Sequence, residues 1–396
     1  MSSPRSRSVY VLGFSSFILI GAVQAMYGPS LPGFAERFFG DLEASAAAAR
    51  VGLAVTLQFL GIMGGTLIGG ALLSRLGGRT VVQGAMGLLA LGMIGMGLSG
   101  QWWTLLAASL LGGIGYGGLS VGFNLMYSAF GERAAAALNL LNATFGIGSV
   151  LGPLLVGTLA VRSVGLPFLV LGGVAAVLVF ALARLRLEAA PRQAAGPAAA
   201  VNLRWVAGFA LLFFVYVGCE TGPGNWESWH LSALWTPQGE AASAEVRARA
   251  AFLTSLYWMA ITVGRFLAAP LSLRLPPHRL VLGSALFGCV GLALTHLSGI
   301  APLGYVVAGL CFAPIFPTSL AWFGRVLPEG GRWGSVVIAC GSMGGVVFPP
   351  LIGTLVRAEG PLVIPTVLTA LALLLCLVVA ALSWAGGRRT LPSSVA

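Results

Sequence analysis

Long apolar runs separated by short polar breaks dominate the chain. Charge-free stretches cover 8–35, 51–74, 134–161, 163–183, 333–356 and 360–387, and each is long enough for one helical crossing of a bilayer, which takes about 20 residues. Two further stretches, 80–131 and 280–324, exceed what one crossing of about 30 Å needs at about 1.5 Å per residue, so each folds back as two spans. The last two spans are 205–230, interrupted by Glu220, and 250–271, interrupted by Arg265. The pattern predicts an all-α membrane protein with twelve spanning helices.

Composition agrees. Of the 396 residues 57% are apolar and only 8% charged, too few polar side chains to cover a soluble surface. The net charge of +11 would suit a nucleic-acid partner, but its distribution points to a membrane instead. All 22 basic residues are arginine. With the N-terminus inside, Arg5, Arg7, Arg75, Arg79, Arg133, Arg184, Arg186, Arg192, Arg204, Arg274, Arg279, Arg325, Arg332, Arg388 and Arg389 fall on the cytoplasmic side. Arg37, Arg50, Arg162, Arg247, Arg249 and Arg357 fall outside. Fifteen against six is the positive-inside asymmetry, and it places both termini in the cytoplasm, in a membrane of the bacterial inner type. Acidic residues lean outward: Glu36, Asp41, Glu43, Glu227, Glu240, Glu245 and Glu359. A cleaved leader over 1–25 is the competing reading of the N-terminus, but the apolar run continues to Phe34 and an even span count needs that helix. The five cysteines (Cys219, Cys289, Cys311, Cys340, Cys376) lie inside the spans, spaced neither as metal ligands nor for disulfides.

The chain repeats itself at half its length. Residues 152–159 read GPLLVGTL and 348–355 read FPPLIGTL, 196 positions apart, while Arg75-Leu76 pairs with Arg274-Leu275 and Gly65 with Gly264 at 199. An offset near half the chain predicts two pseudo-symmetric six-helix bundles in parallel orientation, residues 1–183 and 204–396. Between them 184–203, rich in Pro, Ala, Gly and charge, reads as a cytoplasmic linker. Glycine-rich spans, above all the fourth with Gly112, Gly113, Gly115, Gly117, Gly118 and Gly122, allow the close helix approach that holds bundles together in lipid.

This organisation resembles the major facilitator superfamily of secondary transporters over nearly the whole chain. After the second span the superfamily carries a G-x-x-x-D-R-x-G-R-R/K motif, matched here by Gly70, Arg75, Gly77 and Arg79, with Ser74 in place of the aspartate. Gly148, Gly152, Pro153 and Gly157 partly match the glycine-proline motif of superfamily antiporters. The segments 138–154 (LNLLNATFGIGSVLGPL), 216–226 (YVGCETGPGNW) and 313–320 (APIFPTSL) resemble the fifth, seventh and tenth helices of the fucose permease branch, with Asn142 where many members carry histidine. The departures are in the first and fourth helices, where that branch has functional carboxylates and this chain reads AMYGPSL (25–31) and LSVGFN (119–124), with Ser120 at the fourth-helix acidic position. The resemblance implies alternating access around a midplane site, and its coupling residues do not transfer.

Candidate site residues follow from chemistry. A sugar presents many hydroxyls and one apolar face, so its site wants amides and indole rings. Gln24, Asn124, Asn139 and Asn142 in the first half, with Asn225, Trp226 and Trp229 in the second, have that chemistry, against the plainer reading of interhelical hydrogen bonds and interfacial tryptophans. Trp229 and Trp235 read as belt residues, and Tyr27, 199 positions before Trp226, as its counterpart across the pseudo-twofold axis. Glu220 reads as the only acid within a span. A charged carboxylate there costs several kcal/mol, which makes it a candidate proton carrier, or else an anchor for a helix break at Gly222, Pro223 and Gly224. Arg265 is placed by depth near the opposite face, as a structural charge grouped with the loop motif. No paired intramembrane aspartates or HExxH occur, so no enzyme is expected.

The sequence thus predicts a secondary transporter for a small polar organic solute, a sugar in the first instance. It is expected to be proton-coupled, with sodium at the seventh-span break as the other coupling ion, to need no cofactor, and to act as a monomer in the bilayer. The alternative is a drug or metabolite exporter of the same fold working by proton antiport.

Overall fold

The computed structural model describes residues 4–128, 134–184, 202–237, 240–327 and 331–387. Most of the expected linker, 185–201, and the side chain of Asn139 lie outside the described residues. The helices are α1 (Pro4–Phe39), α2 (Ala44–Leu76), α3 (Gly78–Leu98), α4 (Trp102–Ser128), α5 (Ala134–Leu159) and α6 (Leu166–Ala183). The second set is α7 (Leu203–Leu234), α8 (Ala244–Arg274), α9 (Pro277–Leu294), α10 (Ala301–Phe312), α11 (Ile315–Val326), α12 (Gly331–Glu359) and α13 (Ile364–Gly387). Helices α10 and α11 share one span, Ala301–Val326, so twelve segments are long and apolar enough to cross a membrane, as the apolar runs predict. The face where α1 begins is called near below, and the face where it ends far.

Helices α1 to α6 form one bundle, with α2 on α4, α1 on α5 and α3 on both α4 and α6. The rest form a second bundle, with α7 on α12 and α13, α10 on α8 and α9, and α13 on α9. The main pairs that cross between bundles are α2 with α12, α5 with α8, α1 with α7 and, more lightly, α1 with α8. Glycine sets these distances. A Cβ on Gly61, Gly65, Gly113 or Gly117 would meet backbone of the facing helix, so α2 and α4 pack backbone to backbone. Lipid offers no hydrophobic gain between helices, and this close van der Waals contact supplies the cohesion instead.

The expected break in the seventh span is absent. α7 runs unbroken through Pro223; Pro223 withholds the N–H that would meet the Cys219 carbonyl, and the Tyr257 hydroxyl donates to the neighbouring carbonyl of Glu220. The carbonyls proposed to hold sodium therefore stay in the helix. The discontinuity lies in the tenth span instead, at Ala313-Pro314 between α10 and α11, where two prolines, Pro314 and Pro317, fall within four residues. There the Tyr216 hydroxyl donates to the Phe312 carbonyl, 3.4 Å away.

The motif after the second span does local work. Gly77 has φ +79°, and a Cβ there would meet open space, so the left-handed backbone of the tight α2–α3 turn is what requires glycine. Arg79 donates to the Ala183 carbonyl at the end of α6, tying three near-face ends together. Arg75 and Arg274 occupy the last turns of α2 and α8, equivalent places in the two bundles.

Candidate functional site

Glu220 and Arg265 form an ion pair, Arg265 Nη2 to Glu220 Oε1 at 3.2 Å. This overturns their placement near opposite faces. That estimate assumed two helices of bilayer length, whereas α7 has 32 residues and α8 has 31. Glu220 then lies ~25 Å and Arg265 ~14 Å from the near ends of their helices, a difference that a long guanidinium arm and helix tilt close. Both side chains keep some exposure, 15% for Glu220 and 35% for Arg265. Tyr216 and Tyr257 stand beside the pair, and half-buried Tyr116 of α4 lies within Coulombic reach of Glu220 from the other bundle. The pair therefore sits at mid-depth, where α7 and α8 of one bundle meet α4 of the other.

The far half of the molecule is closed. Glu36 of α1 and Arg247 of α8 are bridged at 2.8 Å. Beneath them a Cβ on Gly28 would meet Gly224 and Asn225 of α7, one on Gly157 would meet Ala248, and ones on Gly52 and Gly353 would meet Pro349 and Ala48 backbone. Contact across the bundles reaches mid-depth, at Gly146 against Thr262 and Gly345 against Phe59. Outside these contacts the helices expose apolar stripes suited to lipid, Leu140 with Ile147 and Leu151 on α5, and Phe252 with Met259 and Phe266 on α8. The close contacts between bundles named here thus lie in the far half and at mid-depth.

The sequence-predicted residues do not converge on one pocket. Gln24 is buried at the middle of α1. Asn124 and Asn142 lie in the near half, each amide donating to a carbonyl of its own helix, Ser120 at 2.8 Å and Leu138 at 2.9 Å. Asn142 stands one turn below Gly146, which packs against Thr262 on the α5–α8 seam, and is exposed. Asn225 donates to Thr221 within α7 at 2.8 Å, and Trp226 is fully buried at the far side against Gly353 and Trp229. Tyr27 does not face Trp226. Its hydroxyl bonds Ser109 at 3.0 Å and Met96 Sδ at 3.1 Å inside the first bundle, since the repeat offset fixes helix and depth but not which way a side chain points. Trp229 is buried as well and is no belt residue, whereas Trp103 and Trp384 are exposed at helix ends.

Two site residues were missed in the sequence reading. Glu227, counted with the outer acids, lies inside the Leu203–Leu234 span, wholly buried, with neither carboxylate oxygen hydrogen-bonded. Gln58 of α2 is buried at mid-depth with both amide atoms unpartnered, as are the indole N–H groups of Trp226 and Trp258. Each such group costs about 1–3 kcal/mol relative to a paired one, so each calls for a reason other than stability. Gln58 was readable: it is the only amide in the run 51–74. Glu227 needed the true length of α7.

The Major Facilitator Superfamily model matches residues 13–238. The glucose/mannose transporter GlcP of Bacillus subtilis is 23% identical over 391 residues, covering 93% of this chain and 93% of that one. A variant of the nucleoside transporter NupG superposes with a TM-score of 0.77 at 13% identity, covering 94% of this chain and 98% of the other. A variant of the E. coli fucose:proton symporter FucP gives 0.61 at 16% identity, with 93% and 97% covered. At these identities the structural likeness shows the fold, two six-helix bundles, and the fold is the one the sequence predicts.

Proposed function

Since the chain belongs to the Major Facilitator Superfamily, and is thus a secondary transporter rather than an enzyme, we propose that it moves a sugar or a sugar-bearing solute by alternating access, coupled to protons. The observation that carries this reading is the polar cluster around Glu220 and Arg265 at mid-depth, with the Glu36–Arg247 bridge and the α1–α7 crossing closing the far side above it. Arginine asymmetry makes the near face cytoplasmic, so the closed side is the outer one. The bundles 1–183 and 204–396 rock about the cluster, joined by 184–203 on the cytoplasmic side. Gln24, Gln58 and Tyr116 from the first bundle, with Glu220, Trp258 and Arg265 from the second, supply amide, hydroxyl, charged and indole groups that suit a polyol with one apolar face. Asn142 lies exposed on the cytoplasmic side; Asn225 and Trp226 belong to the closed far side.

The names of the relatives support the same class: a glucose/mannose transporter, a fucose:proton symporter and a nucleoside transporter all handle a molecule that contains a sugar ring. Counterflow in proteoliposomes with labelled glucose, mannose, fucose and uridine tests it. Exchange of at least one supports the reading. Exchange of none of them, with drug-like cations moving instead, supports the exporter.

A further inference from the structure

Glu227 has no part in the pair at mid-depth, and its setting is unlike that of Glu220. It lies two turns farther along α7, on the far side of the crossing where Gly28 meets Gly224. It is fully buried, its one polar neighbour, the Thr254 hydroxyl, is shared with Ser228 and gives neither oxygen a full hydrogen bond, and among the described residues no cation pairs with it. The groups facing it are neutral or engaged. On α7 these are Ser228, and His230 bonded to Tyr305 of α10 at 2.9 Å. On α8 they are Tyr257, and Thr254 bonded to Ser228 at 2.9 Å. The charges nearest along the helices are committed to each other, Glu220 to Arg265 below and Glu36 to Arg247 above. On α12 and α13, Arg357 and Glu359 stand exposed at the far end and Cys376 is buried. A bare carboxylate sealed in this way would lose its water and gain at most the shared Thr254 hydroxyl in return, so the closed far half holds the neutral acid.

We infer that Glu227 is a proton-binding site loaded from the far face, and that the far face closes only over the loaded acid. The inference rests on the alternating-access reading. When α1 and α8 part from α7, water reaches the carboxylate and it ionises freely. Closure then adds one proton, taken from far-side water, to a carboxylate oxygen, and reopening returns it to the same side. The closed state binds one proton more than the open state, so acid on the far side favours closure and alkali favours opening.

The test uses the full chain in lipid nanodiscs with no solute, so a wrong solute class leaves it unaffected. Infrared spectra at neutral pH are expected to show an unionised-carboxyl stretch in the wild type and in Glu220→Gln, and to lose it in Glu227→Gln. Amide hydrogen exchange over 28–39 and 244–254, corrected for the intrinsic effect of pH, is expected to quicken on alkalinisation in those first two proteins and to stay slow in Glu227→Gln. A band that survives Glu227→Gln, or exchange that tracks pH in that variant as in the wild type, overturns the inference. So does a wild type with no such band. Glu227→Met, matched to the apolar surroundings, gives the same two readouts should the amide variant not fold.

Discussion

The Arg265 guanidinium donates to Glu220 Oε1 across 3.2 Å and so joins α8 to α7 at mid-depth. In lipid neither charge is tolerable alone, and the pair explains why each interrupts an otherwise apolar span. Protonating Glu220 would release Arg265 and alter what a solute meets there. The pair is thus a structural tie, and under the proposed function it is also the coupling switch.

Stability should register the tie. Arg265→Ala and Glu220→Gln are each expected to lower the stability of the purified protein by about 1–2 kcal/mol, the usual cost of breaking a buried pair reduced for the partial exposure of both groups. The double variant should lose less than the sum. Thermal unfolding of the four proteins in one detergent measures it, and strict additivity would mean that the two charges are not coupled.

Transport should register the switch. Glu220→Gln mimics the protonated acid, so labelled glucose or another exchanged sugar should still undergo counterflow while accumulation driven by an imposed pH gradient disappears. Uptake into proteoliposomes with and without the gradient separates the two. Accumulation that survives in the amide variant would remove Glu220 from the coupling step.

How much of this was legible in the chain depends on what each feature needs. Span count and bundle packing follow from run length and repeat offset, because lipid imposes a helix on every apolar run. Rotation about a helix axis does not follow. Tyr27 sits at the right helix and depth, yet its hydroxyl turns into the first bundle toward Ser109. Depth fails where helices overrun the bilayer, which is why Glu220 and Arg265 were set apart and Glu227 was counted outside. The break in the tenth span rather than the seventh was not legible from prolines, since the pairs Pro29/Pro32 and Pro349/Pro350 sit inside continuous helices while Pro314/Pro317 flanks a break. Glycine beside Pro223 serves close approach to α1 and α8, not chain reversal.

The far gate should be weak by design. Glu36 and Arg247 bridge at 2.8 Å with side chains 54% and 23% exposed, and an exposed pair contributes about 0.2–1 kcal/mol. Glu36→Gln should therefore raise far-face opening by no more than about five-fold. A cysteine placed at Ser30, buried beside Arg247 in a small cavity between α1, α5 and α8, reports it through its alkylation rate from the far side. An unchanged rate would mean that packing alone holds the gate.

Packing at that gate turns on Gly28. A Cβ there would run into the Gly224 carbonyl and the Asn225 Cα, atoms of backbone that cannot rotate aside. Ala at this position must part α1 from α7 or strain one of them, an overpacking cost of about 1–3 kcal/mol borne only by the far-closed state. Two consequences follow for Gly28→Ala. Alkylation of the Ser30→Cys reporter should rise by about ten-fold or more, since 1.4 kcal/mol is a factor of ten, and sugar exchange should slow because closure of the far face becomes the difficult step. Gly84→Ala on α3 is the control, since a Cβ there meets nothing within 4 Å and a helix interior gains about 0.5–1 kcal/mol from alanine. That variant should melt at or above the wild-type temperature with the reporter still shielded. If Gly28→Ala behaves like Gly84→Ala in both measurements, the α1–α7 crossing is not what seals the far face, and the seal must rest on α2 with α12 and α5 with α8.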